Sequence, residues 1–166
     1  MAIDPDSVVL RDLKIGDLGW LIQRHGEYYA ENDGFDETFE PLVAEILTDF
    51  ARNRDPESER GWIAATGGRR LGSIFCVQSG EPAVAKLRLL FLDPDAQGLG
   101  LGQRLLNACI GYARQCGYRR IRLWTHESHR TACALYQKNG FICTAAKPVT
   151  SFGQKLVEQT WELDLT

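Results

Sequence analysis

Apolar and polar residues recur along this chain in two periods, and together they resolve into seven strands and four helices. Val8 to Leu13 alternates as a first strand, and Leu18, Leu21, Ile22, His25 and Tyr29 then recur at helical spacing, which predicts a helix over about residues 15–32. Asn32-Asp33-Gly34 breaks it, and Phe39, Leu42, Val43, Ile46, Leu47 and Phe50 mark the inner stripe of a second helix. Trp62–Thr66 and Arg70–Val77 read as strands joined by the hairpin signal Gly67-Gly68, and Ala83–Leu92 as the next strand. A helix from about Leu99 to Gln115 turns Leu101, Leu105, Cys109, Tyr112 and Ala113 inward until Gly117 stops it. Arg120–Thr125 (strand), Arg130–Lys138 (helix), Phe141–Ala145 (strand) and the alternating Val157–Leu165 (strand) complete a mixed α/β sheet with helices on both faces. The expectation is one domain over residues 1–166.

Within that pattern, Leu89 to Leu106 carries the most chemistry. An apolar run stops at Asp93-Pro94, a polar turn follows, and Gly98, Gly100 and Gly102 alternate into an amphipathic helix. A strand feeding a glycine-opened helix aims unpaired N–H groups and the positive end of the helix dipole at one point, which suits a phosphate or diphosphate. Glycine lets the backbone approach that anion without a Cβ in the way. Gly102 is followed by Gln103-Arg104, so the Walker ending is absent, and the G-x-G-x-G spacing is not the dinucleotide fingerprint.

Gln97, Gly100 and Gly102 do match Q/R-x-x-G-x-G/A, which resembles the acetyl-CoA signature of the GNAT family of N-acetyltransferases. Downstream, Ala132-Cys133-Ala134-Leu135-Tyr136-Gln137-Lys138-Asn139-Gly140-Phe141 is similar to that family's A-x-x-L-Y-x-x-x-G-F pattern, with Gly140 ending the helix. Arg24-His25-Gly26, Lys86–Leu90 and Gln159–Leu163 resemble more narrowly the acetyltransferase half of bacterial fusions to a MarR-type regulator, although no winged-helix reader precedes them here. The resemblance implies the GNAT (acyl-CoA N-acyltransferase) fold: a mixed, mostly antiparallel seven-stranded sheet with about four helices on its two faces.

Composition adds bounds. With 44% hydrophobic and 25% charged residues the chain is ordinary for a globular domain, and no apolar run approaches a membrane span. Cys76, Cys109, Cys116, Cys133 and Cys143 form no C-x-x-C pair and read as reduced thiols of a cytoplasmic protein, with no signal peptide at the acidic start. The net charge of −3 divides unevenly, residues 1–60 holding 15 acidic against 6 basic side chains and the remainder 7 against 13. A basic later portion suits a polyanionic cofactor and an acidic early one a cationic acceptor, while the absence of a basic stripe disfavours nucleic acid. His25, His126 and His129 have no thiol or acidic company at ligand spacing, so no metal site is expected.

The resemblance also distributes roles. It implies acetyl-CoA (coenzyme A) as cofactor, seated by Gln97, Gly98, Leu99, Gly100, Leu101 and Gly102 at the diphosphate and by the main chain of Leu90, Phe91 and Leu92 along the pantetheine arm. His129 stands where the family often has an Asn touching the arm or the substrate. Tyr136 is the expected proton donor to the departing thiolate. The strand-four glutamate that often serves as base is missing, and Lys86 and Arg88 occupy that strand, sharing a face with Leu90 and calling for an anionic partner such as Glu37, Glu40 or a substrate group. Base candidates are, in order, Glu127, His25, His126 and Glu81. His25, Tyr28, Tyr29, Phe35 and Arg88 are the expected acceptor-pocket residues, Glu31–Glu37 a lid or a solvated connection, and Arg119, Arg120, Arg122 and Arg130 a candidate contact to the 3′-phosphate. Three readings stay open: acetylation of a small-molecule or amino-acid-like amine, acetylation of protein N-termini or lysines, and a non-catalytic acyl-CoA sensor. Relatives often pair through their last strands, so an exposed Trp161 would indicate a homodimer.

Overall fold

The computed structural model describes residues 2–166 and contains every predicted element. In chain order these are β1 (Val9–Arg11), α1 (Asp17–Asp33), α2 (Phe39–Asn53), β2 (Arg60–Thr66), β3 (Arg69–Gln78), β4 (Val84–Leu92), α3 (Leu101–Gln115), β5 (Arg120–His126), α4 (Arg130–Lys138), β6 (Ile142–Ser151) and β7 (Gln154–Asp164). The strands form one sheet in the order β1-β2-β3-β4-β5-β7-β6, in which β4 and β5 are the parallel pair. Leu101, Leu105, Leu106 and Cys109 of α3 and Tyr136 of α4 pack with Ile74, Leu87 and Leu123 on one face. Leu21 of α1 and Val43, Leu47 and Phe50 of α2 pack with Ile63 and Phe75 on the other. Asp17 fastens the start of α1 to the sheet, its buried carboxylate accepting from Arg11 of β1 at 2.8 Å and Arg70 of β3 at 2.7 Å.

Two irregularities in β4 position the site. First, β4 and β5 pair only from Val84–Lys86 to Arg120–Arg122; beyond that β4 stays with β3 and β5 with β7, so the two strands part. Second, the register between β3 and β4 slips between Ser73 and Phe75, where Leu89 adopts a φ of 51°. This bulge sets two residues of β4 against one of β3 and reverses which face later side chains take. Ser73 stabilises it by donating its hydroxyl to the Leu89 carbonyl at 2.7 Å. The expectation that Lys86 and Arg88 share a face with Leu90 is therefore corrected: Arg88 pairs with Phe75 and Phe91 with Ser73, which puts Phe91 on the cations' face while Leu90 packs toward α3.

The last two strands run longer than the pattern predicted, forming a hairpin closed by Phe152-Gly153. Most of β6 is exposed, so no buried face imposed alternation on its sequence. Trp161 is 8% exposed and packs near Tyr136, so it does not mark a pairing surface. All five cysteines are free, and no helix among the described residues is long and apolar enough to cross a membrane.

Candidate active site

Where β4 leaves the sheet, the Asp93 amide bonds the Leu71 carbonyl and a short 3-10 turn, Pro94–Ala96, leads to Gln97. Gly98 and Gly100 then take φ angles of 78° and 77°, and α3 begins at Leu101. Through those left-handed turns the N–H groups from Gly98 to Gln103 find no backbone hydrogen-bond partner among the described residues. A Cβ built on Gly98 or Gly100 would meet nothing within 4 Å, so the turn encloses an open, amide-lined hollow at the positive end of a helix. The Gln97 side chain braces it, donating to the Leu92 carbonyl and the Tyr28 hydroxyl, each at 3.2 Å. An ion pair of 2.7 Å between Arg24 and Asp93 ties the same corner to α1.

This hollow is one end of a cleft of about 600 Å³ between α1, the separated end of β4, and α4. Leu90, Phe91, Leu92, Gln97, Gly98, Gly100, Leu101, Gly102 and His129, named above for the cofactor, all line it, and so does Tyr28. Leu99 does not; it packs against the core. Tyr29 lines it too, and beyond the expected set the cleft takes in Asn32, Asp33, Gln103, Ser128, Thr131 and Lys138. The one signal for these was position: Asn32 and Asp33 close the helix that ends at Gly34, and Ser128 to Thr131 open the helix that carries Tyr136.

Other expected residues lie elsewhere. His25 is 2% exposed, its Nδ1–H donating to the Leu21 carbonyl at 2.7 Å and its ring lying against Phe91. Burial pushes it down to about 4 against that hydrogen bond, so it is a neutral core residue beneath the cleft. Phe35 is buried too, within an aromatic cluster of Tyr29, Phe39 and Phe152. Arg88 faces a separate cavity of about 150 Å³ beside Asp49 and Asn53, and burial lowers its pKa while the Asp49 charge raises it. Neither Glu37 nor Glu40 pairs with Arg88 or Lys86, and Lys86 instead lies 5.1 Å over the Trp124 ring. Glu127 opens onto a different groove, formed with Pro148–Thr150 and Lys155–Val157, and Glu81 is engaged by Arg122 at 2.9 Å. Of the four arginines considered for a phosphate, Arg120 and Arg122 pair with Glu162, and Arg130 alone lines the cleft.

Tyr136 is 4% exposed, on the helix face adjoining the cleft-lining Ala132 and Leu135, and its hydroxyl makes no hydrogen bond among the described residues. Burial, then the neighbouring Tyr29, raises its pKa well above the usual phenol range, so the proton stays on oxygen at neutral pH. At the opposite end of α4, His129 Nε2 meets Asp33 Oδ2 at 3.0 Å, joining the end of α1 to the start of α4. Nearby His126 is lowered by burial and by His129, against the opposing charges of Glu158 and Asp33. The segment after α1 is fixed, not free: the Asp36 amide bonds the Phe152 carbonyl and Gln154 bonds the Gly34 carbonyl, each at 3.0 Å. Among the described residues no group of three His, Cys, Asp or Glu side chains is arranged to hold a metal ion.

The profile of the Acetyltransferase (GNAT) family matches residues 23–141. A mycothiol acetyltransferase of Paenarthrobacter aurescens (strain TC1) is 30% identical over 146 residues, covering 83% of this chain and 43% of that protein. The mycothiol acetyltransferase of Arthrobacter sp. (strain FB24) is 29% identical over 145 residues, with 82% and 43% covered. The chain thus spans less than half the length of these relatives. Among solved structures, yncA of Salmonella typhimurium, described as an acetyltransferase with its cofactor acetyl-CoA, superposes with a TM-score of 0.74 at 18% identity, covering 96% of this chain and 95% of that one. A GCN5-related N-acetyltransferase from Kribbella flavida gives 0.74 at 19% identity, covering 97% and 99%. These likenesses describe a shared fold.

Proposed function

This chain belongs to the acetyltransferase (GNAT) family, and from that premise we propose that it transfers the acetyl group of acetyl-CoA to a primary amine of a small-molecule or amino-acid-like acceptor. The observation that carries the proposal is the row of unpaired amides from Gly98 to Gln103 on a turn where Gly98 and Gly100 face open space. That donor set fits a diphosphate, with Gln97 bracing the turn. Leu90 to Leu92 of β4, free of β5 on that side, would hold the pantetheine arm by main-chain groups. When bound, the thioester supplies an activated acetyl carbonyl.

The chain's own groups then do three things. The β4 backbone and the turn fix the cofactor's position before the acceptor arrives, and positioning of this kind removes much of the entropic barrier. A main-chain N–H at the separated end of β4 polarises the carbonyl. Tyr136 holds a proton that burial keeps on its hydroxyl, ready for the sulfur that leaves. The narrower likeness to the MarR-fused subgroup belongs to this reading as well and rests on the three segments quoted for it. We place the activity in the cytoplasm on the strength of the unpaired cysteines.

Calorimetry with coenzyme A and acetyl-CoA, followed by titration of released thiol over a panel of amines, tests the proposal. Binding with turnover on small amines supports it. Turnover on protein N-termini or lysines alone would move the acceptor class, and binding with no turnover on any amine would favour an acyl-CoA sensor. No heat of binding would overturn the reading.

A further inference from the structure

The cleft contains one carboxylate and one imidazole, and they touch each other. Among its lining residues Asp33 is the one carboxylate and His129 the one imidazole; the other ionisable groups are the tyrosines Tyr28 and Tyr29 and the cations Arg130 and Lys138. The groups first expected to act as base do not line the cleft: His25 is in the core, Glu127 on another groove, Glu81 in an ion pair, and His126 stands behind the His129 ring at 5.3 Å. Strand β4 carries no carboxylate at all.

Asp33 ends α1 and His129 caps α4, so 96 residues of chain separate two groups whose Oδ2 and Nε2 lie 3.0 Å apart. Their side chains are about equally accessible, at 20% and 19%, which leaves both open to a ligand in the cleft. A carboxylate at Nε2 selects the tautomer in which Nε2 carries the hydrogen and Nδ1 carries the lone pair. Nδ1 of His129 has no hydrogen-bond partner among the described residues. Rings hold the imidazole on several sides: Tyr29 at 5.4 Å and Phe35 at 6.4 Å from the α1 side, and His126 of β5 at 5.3 Å. The base is thus oriented by a third group and packed in place, which is the arrangement that general-base catalysis requires.

We propose that His129 is the general base of acetyl transfer and that Asp33 is its positioning residue. The inference rests on the acetyltransferase reading and supplies the base that the missing strand-four glutamate leaves unassigned. The acceptor enters as an ammonium and gives one proton to His129 Nδ1, and the freed nitrogen lone pair forms the C–N bond to the acetyl carbon. The C–S bond breaks with its electron pair going to sulfur, and the sulfur takes the proton of Tyr136. The second proton of the nitrogen returns to the Tyr136 oxygen, and His129 passes its proton to water. The products are the amide and the free thiol, with one proton released per turnover.

Two measurements on the full chain test it. The ¹⁵N spectrum of the histidine rings reads the tautomer without any turnover. His129 should show a hydrogen-bearing Nε2 and a bare Nδ1, and Asp33→Ala should mix the two forms. A bare Nε2 in the parent, or a spectrum indifferent to Asp33→Ala, overturns Asp33's role. In parallel, His129→Gln, which keeps a polar side chain for Asp33 but has no titrating nitrogen, should lower kcat about 10²-fold or more with the acetyl-CoA Kd moved less than about threefold. Added imidazole should restore part of the turnover of His129→Ala. A His129→Gln kcat close to the parent's overturns the base assignment alone, whereas failure of the parent to bind acetyl-CoA overturns the functional reading and the dyad's role with it.

Discussion

Replacing Gly100 by alanine separates the cost to the fold from the cost to the ligand. Gly100 precedes α3 with φ at 77°, where an L-residue pays about 1–2 kcal/mol against its Cβ. No protein atom lies within 4 Å of the added methyl, so strain is the whole of the structural penalty. For a chain of this size that loss lowers Tm by roughly 2–8 °C. The methyl instead adds bulk to the open turn that carries the free amides from Gly98 to Gln103. Displacing a diphosphate from even one such donor forfeits a charge-assisted hydrogen bond of about 1.5–3 kcal/mol. The Kd for coenzyme A should therefore rise roughly tenfold to 150-fold. Gly111→Ala is the control: it lies within α3, also in open space, but with no left-handed φ, so it should stabilise the helix by about 1 kcal/mol and leave binding alone. Calorimetry and thermal melts on the three proteins complete the test. If Gly100→Ala loses stability yet binds coenzyme A as the parent does, the diphosphate does not sit on this turn.

Three further substitutions probe neighbouring parts. Tyr136→Phe removes a hydroxyl with no hydrogen-bond partner among the described residues, so melting should change by less than about 1 kcal/mol while kcat falls about 10²-fold or more; stopped thiol release against a thermal melt decides between a catalytic and a packing tyrosine. Burial alone would push the Asp17 carboxyl up, but hydrogen bonds from Arg11, Arg70 and the Lys14 amide outweigh it and hold the group at about 2. A depressed folded-state value contributes stability above the unfolded value near ~3.9 and loses it as pH falls toward the folded one, here about 2 kcal/mol. Asp17→Asn should thus cost about that much near neutral pH and flatten the acid dependence below about pH 4, as read by urea titrations. Gly72→Ala would put a Cβ 2.3 Å from the Phe91 carbonyl oxygen and 2.8 Å from Leu92 Cδ2, so β3 and β4 must separate beside the bulge. Stability should fall by about 1–3 kcal/mol and acetyl-CoA affinity with it, measured by melting and calorimetry; retained affinity would show that this part of β4 does not hold the arm.

What the sequence revealed and what it withheld divide along the range of the forces involved. The path from β4 through the turn into α3 was legible because each step has a local cause: Pro94 ending the strand, Gly98 and Gly100 turning left-handed, an amphipathic repeat starting at Leu101. The bulge at Leu89 was not, since what stabilises it is Ser73 on another strand. That single residue reversed the parity of the rest of β4, so that Phe91 and not Leu90 shares the face of Arg88, which itself lies beside Asp49. Helical spacing assigned His25 to the inner stripe of its helix, and the fold kept it there instead of at the acceptor. Asp33 and His129 were each visible, but their meeting depends on how α1 and α4 cross the sheet, which no local pattern encodes.

The two irregularities of β4 act together. Parting from β5 after Lys86 leaves one edge of the strand with unpaired backbone groups, and the same strand ends in a turn whose amides are also unpaired. On the proposed reading a long ligand with an anionic head would be held at two places by main chain alone, so its reactive end would be located by the sheet and not by particular side chains. Side chains in the rest of the cleft are released from that duty. Tyr28, Tyr29 and Asp33 from α1 and Ser128 to Thr131 at the start of α4 line the rest of the cleft, and they come from segments that share no hydrogen-bond ladder with β4. Cofactor affinity and acceptor choice should therefore be separable in this chain. A change at Tyr28 should alter which amine is acetylated with the acetyl-CoA Kd moved by less than about threefold, because its one tie to the turn is a 3.2 Å bond to a Gln97 amide that the Leu92 carbonyl also holds. Parallel loss of both in Tyr28→Phe would show that the acceptor wall and the diphosphate turn are one unit.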